Sequence, residues 1–106
     1  GALLVMQGNK LVGIVSERDY ARKVVLHGRS SASTAVRDIM TSTVFTVTAT
    51  DTVDHAMRLM TDQRIRHLPV MNGDEVVGVL SIGDLVRSVI DAQRSTIEAL
   101  QSYIQG

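Results

Sequence analysis

Apolar residues form two pairs of short runs, and each pair precedes a segment with helical spacing. In each pair a glycine separates the two runs, which predicts a hairpin whose second strand spans Leu11 to Val15 or Val76 to Leu80. After the first hairpin, apolar residues recur at helical spacing from Tyr20 to Val25, and Gly28 predicts the end of that helix. The pattern therefore predicts two β-hairpins, each followed by a helix.

A longer segment, Val36 to His67, leads into the second hairpin. Its β-branched run from Thr43 to Thr48 predicts a strand, and Asp51 predicts the cap of a following helix. The predicted apolar face of this helix consists of Val53, Ala56, Met57 and Met60.

The pattern beyond Asp84 predicts a long C-terminal helix with an apolar seam. Spacings of four and three residues alternate along Val86, Ile90, Gln93, Ile97, Leu100 and Ile104. Such a seam indicates an interhelical contact, either between two protomers or back onto the chain's own sheet. We favour a homodimer.

The two hairpins belong to an internal repeat. Leu3 to Asp19 aligns without a gap with Leu68 to Asp84, and eight of the 17 pairs are identical. No counterpart of the Val36 to His67 segment precedes Leu3. We therefore expect the first repeat to be incomplete and the natural chain to extend about 30 residues or more upstream.

Composition narrows the function classes. Eleven basic and eleven acidic residues balance, and only three residues are aromatic, which argues against a nucleic-acid or membrane surface. The chain has no cysteine and no apolar run of the roughly 20 residues that span a membrane, so we expect a cytoplasmic protein. The three histidines lack metal-ligand spacing, and Ser16 and Ser81 lack the surroundings of a nucleophile. We expect no metal, no catalytic residue and no required cofactor.

Both repeats end on one motif, in which a glycine is followed by two apolar residues, a serine, any two residues and an aspartate. The motif spans Gly13 to Asp19 and Gly78 to Asp84. Together with Val36 to Met40 and His67 to Val70, it resembles the CBS-domain family. The resemblance implies an α+β fold of tandem strand-helix-strand-strand-helix repeats about a pseudo-twofold axis. We expect an incomplete repeat with linker over 1–34, a second repeat over 35–90 and a C-terminal helical extension over 91–106.

In function, the resemblance implies a regulatory, non-enzymatic module that forms flat dimers. Its two clefts would bind an adenosine-type ligand such as AMP, ADP, ATP or S-adenosylmethionine. Two alternatives stay open, namely a dimerisation or partner-docking scaffold with empty clefts and a regulatory fragment of a larger protein.

The resemblance also assigns roles to residues. Asp19 and Asp84 would bind the ribose hydroxyls, and Ser16 and Ser81 the sugar or phosphate. The alternative for each serine and aspartate pair is a capping box at the start of a helix.

Basic residues would bind the phosphate, and the segment that leads into the second hairpin, Val36 to His67, would bind the base. The phosphate candidates are Arg18, Arg64, Arg66 and His67, and their alternative is a solvated basic helix end. The base and sugar candidates are Thr41, Ser42, Thr43, Val44 and Phe45, although Phe45 is at least as well explained as a half-buried strand residue. In the family, the pseudo-twofold axis places the motif of one repeat beside the segment that precedes the hairpin of the other repeat. For Asp19 that segment is Val36 to His67, which is present, so we expect the cleft at Asp19 to be the more complete one.

Overall fold

The structure is a computed structural model that describes the backbone of residues 1–105 and the side chains of residues 1–101. Within residues 1–105, five strands and three helices make up the α+β fold, which confirms the predicted fold class. The strands are β1 (Ala2–Gln7), β2 (Lys10–Ser16), β3 (Val47–Thr48), β4 (His67–Asn72) and β5 (Glu75–Ser81). The helices are α1 (Glu17–Tyr20, continued by a π-helical turn over Ala21–Val25), α2 (Val53–Gln63) and α3 (Ile82–Gln105). Short 3₁₀ turns cover Ser31–Ser33 and Val36–Asp38.

The two hairpins repeat each other in backbone detail. β1 pairs antiparallel with β2, and β4 pairs antiparallel with β5. Each ladder has a register shift at the equivalent place, between Val5 and Met6 and between Val70 and Met71. Gly8 and Gly73 lie in the turns with φ of 62° and 61°, a conformation that glycine adopts without steric cost. The duplication seen in the sequence is therefore also a duplication of turn and bulge geometry.

The strand predicted from Thr43 to Thr48 is shorter than expected. β3 covers only Val47–Thr48, where it adds to β4 in parallel and completes the sheet order β3-β4-β5. Upstream, Thr41 instead forms an isolated bridge with Ile14 of β2. The segment changes its pairing partner between these two points, so no continuous ladder forms along it.

The start of α2 also differs from the prediction. Its N-cap is Thr52, whose side chain accepts a hydrogen bond from the His55 N–H, whereas the Asp51 side chain accepts one from the Thr48 N–H. Ala56 and Met60 are buried against Val47, Leu68 and Leu85 in the main core, as the apolar face predicted. Val53 is 41% exposed, so the buried face is narrower than expected.

One glycine allows the second repeat to approach the first. A Cβ at Gly13 would lie 2.5 Å from the Met40 Sδ atom and 3.1 Å from the Thr41 carbonyl oxygen. At the equivalent Gly78, no described atom lies within 4 Å of such a Cβ. The Met40–Thr41 segment therefore crosses closely over β2, and no described segment crosses β5 in the same way.

The C-terminal half of α3 extends away from the core. Every residue from 91 to 101 is exposed. In the seam, Ile90, Ile97 and Leu100 are 45%, 55% and 58% exposed, so they do not pack onto the chain's own sheet. Ile104 lies outside the described side chains.

Within residues 1–105, no helix combines the length and the hydropathy needed to span a membrane.

Candidate functional site

A cavity of about 550 Å³ lies where three parts of the chain meet. These parts are the junction of β2 and α1, the segment after Thr41, and the connection from α2 to β4. Ten of the predicted site residues line it, namely Ser16, Arg18, Asp19, Thr41, Thr43, Val44, Phe45, Arg64, Arg66 and His67. Ser42, Ser81 and Asp84 do not. The fold thus brings together the residues predicted around Asp19.

Ser16 and Asp19 form a capping box at the start of α1. The Ser16 Oγ atom accepts a hydrogen bond of 3.2 Å from the Asp19 N–H, and the Ser16 N–H donates one of 2.8 Å to Asp19 Oδ2. The Ser16 hydroxyl also donates to Oδ2, at 3.0 Å. The capping alternative is therefore correct for the local structure, and it occupies one carboxylate oxygen of Asp19.

The other carboxylate oxygen of Asp19, Oδ1, has no close hydrogen-bond donor within the described chain. Lys23 Nζ lies 3.6 Å from Asp19 Oδ1 and donates its hydrogen bond, 2.8 Å long, to the Ile39 carbonyl. Because 3.6 Å is beyond a normal hydrogen bond, Oδ1 can still accept from a ligand. The capping role and a binding role are compatible for this carboxylate.

Asp84 makes the same capping contacts as Asp19 but differs from it at the Oδ1 atom. The Ser81 N–H and hydroxyl donate to Asp84 Oδ2 at 3.0 and 2.8 Å, and Arg87 donates to Oδ1 at 2.6 Å. The hydrogen bond from the Ser81 N–H, then that from its hydroxyl, then Arg87 lower the pKa of Asp84. Asp84 Oδ1 thus already accepts one hydrogen bond from within the chain, whereas Asp19 Oδ1 has only Lys23 at 3.6 Å.

The second wall of the cavity is anchored to the first repeat by backbone hydrogen bonds. The Ile14 N–H donates to the Thr41 carbonyl at 3.0 Å, and the Thr41 N–H donates to the Ile14 carbonyl at 2.9 Å. Beyond this bridge, Val44 is half-buried, whereas Phe45 lies outside any strand and is 36% exposed. Phe45 therefore borders the cavity and is not a strand residue.

Positive charge is concentrated at this cavity although the whole chain is neutral. Four arginines line it, compared with two carboxylates, those of Glu17 and Asp19. Among the described side chains, none of these four arginines forms an ion pair, while Arg58 and Arg87, which do, lie elsewhere. The unpaired guanidinium groups are suited to bind an anion.

Several lining residues were missed by the sequence analysis. Ile14 shares a face of β2 with Ser16, two residues later, and Arg22 follows Arg18 by four residues. These spacings are signals that a search of the sequence can use. Gln63 and Ile65 carry no such signal, because only the turn after α2 places them at the cavity.

A metal ion has no evident place in the described part of the chain. No group of three or more His, Cys, Asp or Glu side chains there is arranged to bind one. The chemistry of the cavity is that of guanidinium, hydroxyl and carboxylate groups around a partly apolar space.

Comparison with known proteins gives a consistent result. The model of the CBS domain family matches residues 36–91. Over 111 residues the chain is 49% identical to the "CBS domain-containing protein CBSX3, mitochondrial" of Arabidopsis thaliana, covering 100% of this chain and 54% of the relative. The chain thus spans about half the length of this relative.

Solved structures show the same similarity. A protein with CBS domains from Burkholderia ambifaria is 56% identical, with a TM-score of 0.84 over 88% of this chain and 68% of that one. The CBS-domain containing protein ATU1752 from Agrobacterium tumefaciens is 35% identical, with a TM-score of 0.78 over 83% and 71%. The CBS domain pair of protein MJ0100, in complex with 5′-methylthioadenosine and S-adenosyl-L-methionine, is 28% identical, with a TM-score of 0.73 over 86% and 71%.

Proposed function

Since this chain belongs to the CBS-domain family, whose members are typically regulatory and non-enzymatic, we propose that it binds an adenosine-type nucleotide beside Asp19. The nucleotide would act as a signal by stabilising one conformational or oligomeric state over another. The division into 1–34, 35–90 and 91–106 and the cytoplasmic location remain predictions.

One observation carries this proposal, namely the convergence of three complementary groups on one cavity. Asp19 Oδ1 retains capacity to accept from ribose hydroxyls. Val44 and Phe45 offer apolar surface to a base, and the unpaired arginines offer donors to phosphate. The volume of about 550 Å³ lies within the range of small-molecule sites.

The choice of ligand class draws on a relative. The protein MJ0100 pair is in complex with two adenosyl compounds. For this chain, AMP, ADP, ATP and S-adenosylmethionine are the candidates, with no cofactor required for folding or chemistry.

The test is calorimetric titration of these four ligands into the chain and into two matched variants, Asp19→Ala and Asp84→Ala. Both variants remove the aspartate of the same motif, but only Asp19 lines the cavity. We expect Asp19→Ala to weaken binding at least tenfold, about 1.4 kcal/mol, and Asp84→Ala to leave it within twofold. Loss of binding in Asp84→Ala alone would contradict the placement of the site.

A second candidate function is self-association or partner docking, and the exposed stripe of α3 favours it. Val86, Ile90, Ile97 and Leu100 are all more than 40% exposed and recur on one face of the helix. A hexameric CBS-CP12 protein from bloom-forming cyanobacteria is among the similar structures, at 26% identity and a TM-score of 0.74. A homodimer through α3 is our proposal for this stripe, and it is compatible with nucleotide binding.

A further inference from the structure

Lys23 contacts two walls of the cavity from outside. Its Nζ atom donates a hydrogen bond of 2.8 Å to the Ile39 carbonyl and lies 3.6 Å from Asp19 Oδ1. Asp19 lines the cavity on the side of α1, and Thr41, two residues after Ile39, lines it on the side of the segment that crosses over β2. Lys23 is not among the lining residues. One ammonium group therefore joins the two walls without occupying the space between them.

The bond from Lys23 to Ile39 differs from the other side-chain hydrogen bonds in the described part of the chain. It joins residues 16 positions apart, whereas each of the others joins residues at most four positions apart. It adds to the two backbone hydrogen bonds between Ile14 and Thr41. A charged donor also makes a stronger hydrogen bond than a neutral one. Lys23 thus helps to hold the Thr41 wall beside Asp19.

The same ammonium group compensates the charge of Asp19. The Asp19 side chain is 20% exposed, compared with 43% for the side chain of Asp84. A nearby cation stabilises a carboxylate more when solvent screens the pair less. At 3.6 Å, Lys23 supplies this charge without a hydrogen bond that would occupy Oδ1. The carboxylate is therefore stabilised and still open to a ligand.

The backbone around Lys23 differs between the two repeats. Lys23 lies in the π-helical turn Ala21–Val25, and such turns are rare and occur frequently at functional sites. In the second repeat α3 is α-helical from Ile82 onwards, and Ser88 has the position equivalent to Lys23. A serine side chain is too short to make a bridge of this kind. The bridge is therefore specific to the repeat whose aspartate lines the cavity.

We propose that Lys23 is a positioning residue that fixes the Thr41 wall relative to Asp19 and so forms the binding site before a ligand enters. Less of the chain then has to be ordered on binding, which increases affinity. Because Lys23 acts through Asp19 and Thr41, its effect should be the same for ligands with and without phosphate. This inference rests on the proposed function and adds to it the residue that organises the site.

The first experiment measures amide hydrogen exchange of the whole chain without ligand. Lys23→Met removes the ammonium group and keeps a long side chain, and Lys23→Arg keeps a charged donor. In Lys23→Met we expect the amides of Ile14 and Thr41 to exchange about fivefold faster, while those of β4 and β5 keep their rates. Lys23→Arg should recover most of the protection. Lys10→Met makes the same change at an exposed lysine outside the cavity and should leave these rates unchanged.

The second experiment measures the dissociation constants of adenosine and ATP by calorimetric titration of the same proteins. We expect Lys23→Met to raise both constants about fivefold, because the site must then be ordered on binding. Lys23→Arg should restore most of the affinity, and Lys10→Met should stay within twofold of the unmodified chain. Adenosine lacks phosphate, so an equal effect on the two ligands separates positioning from a direct contact with phosphate.

The outcomes separate this inference from the proposed function. If the unmodified chain binds no adenosine ligand, the proposed function is wrong, and the exchange rates still test whether Lys23 anchors Thr41. If it binds them and Lys23→Met leaves the exchange rates or both affinities unchanged, the positioning role alone is wrong. Weaker binding of ATP alone would assign Lys23 to phosphate, and faster exchange throughout β4 and β5 would assign it to global stability. Either result would overturn the inference.

Discussion

Asp19 and Asp84 have the same position in the two repeats, and their carboxylates differ in what approaches the Oδ1 atom. Arg87 donates to that atom of Asp84, whereas Lys23 stays 3.6 Å from that of Asp19 and bonds to Ile39 instead. Both aspartates use Oδ2 for capping. At the scale of single residues, the repeats thus share a structural role and differ in the capacity left for a ligand.

The capping role predicts a loss of stability in Ser81→Ala. The Asp84 N–H would lose its side-chain acceptor, and the hydrogen bond of 2.8 Å from the Ser81 hydroxyl to the Asp84 carboxylate would also disappear. We expect the free energy of unfolding to fall by about 1 kcal/mol, measured by urea denaturation. Ser81→Thr keeps a capping hydroxyl and is the matched control. Equal stability of Ser81→Ala and the unmodified chain would contradict the capping role.

The pH dependence of stability follows from the hydrogen bonds to Asp84. These bonds lower its pKa in the folded chain. The folded state then binds a proton less readily than the unfolded state, so this stabilisation is present above the usual Asp pKa of about 3.9 and is lost as pH falls through the folded value. We expect the melting temperature of Asp84→Asn to fall less over that range than that of the unmodified chain. An equal fall in both proteins would contradict this role of the hydrogen bonds to Asp84.

At the scale of elements, Gly13 determines how the second repeat meets the first. Its missing side chain lets Met40 and Thr41 cross over β2, and this crossing places the Thr41 wall beside Asp19. Gly78 has the equivalent position in β5 without such a crossing. Packing therefore requires a glycine at position 13, whereas nothing in the described structure requires one at position 78.

This contrast predicts different effects of the same substitution. Gly13→Ala would place a Cβ 3.1 Å from the Thr41 carbonyl oxygen as well as against Met40, so the crossing segment must move. We expect a loss of about 1–3 kcal/mol of unfolding free energy from overpacking. Gly78→Ala is the matched control and should change stability by less than about 0.5 kcal/mol. Similar losses in both variants would show that the crossing is not the cause.

The α3 stripe leads to a prediction about assembly. In Leu100→Glu a charge would enter the apolar contact that we propose between two copies of α3, so self-association should weaken at least tenfold. Sedimentation equilibrium measures the change. Ser95→Glu adds the same charge away from the stripe and should leave the association unchanged. A monomer at all concentrations, or an unaffected oligomer, would rule out this role of α3.

At the scale of the molecule, a neutral chain presents one cavity with excess positive charge. The charge comes from α1 and from the connection between α2 and β4, which meet only in the folded structure. Ligand binding should therefore depend on folding and should stabilise the fold.

This linkage gives a prediction for the whole chain. ATP at 100 times its dissociation constant should raise the free energy of unfolding by about 2.7 kcal/mol in urea titrations. Asp19→Ala at the same ATP concentration should gain at least about 1 kcal/mol less, because its affinity is lower. An equal gain in both proteins would show that ATP binds elsewhere.

Features that depend on near neighbours in the chain were predictable from the sequence. The hairpins, their glycine turns and both serine-aspartate caps involve residues three or four positions apart or one short turn, so their spacing alone indicates them. The resemblance to a family then placed Thr41 and Arg64 near Asp19. Contacts across the fold were not predictable, because they depend on how distant segments pack. These include the close approach of Met40 to Gly13, the change of partner that shortens β3, and the turn that brings Gln63 to the cavity.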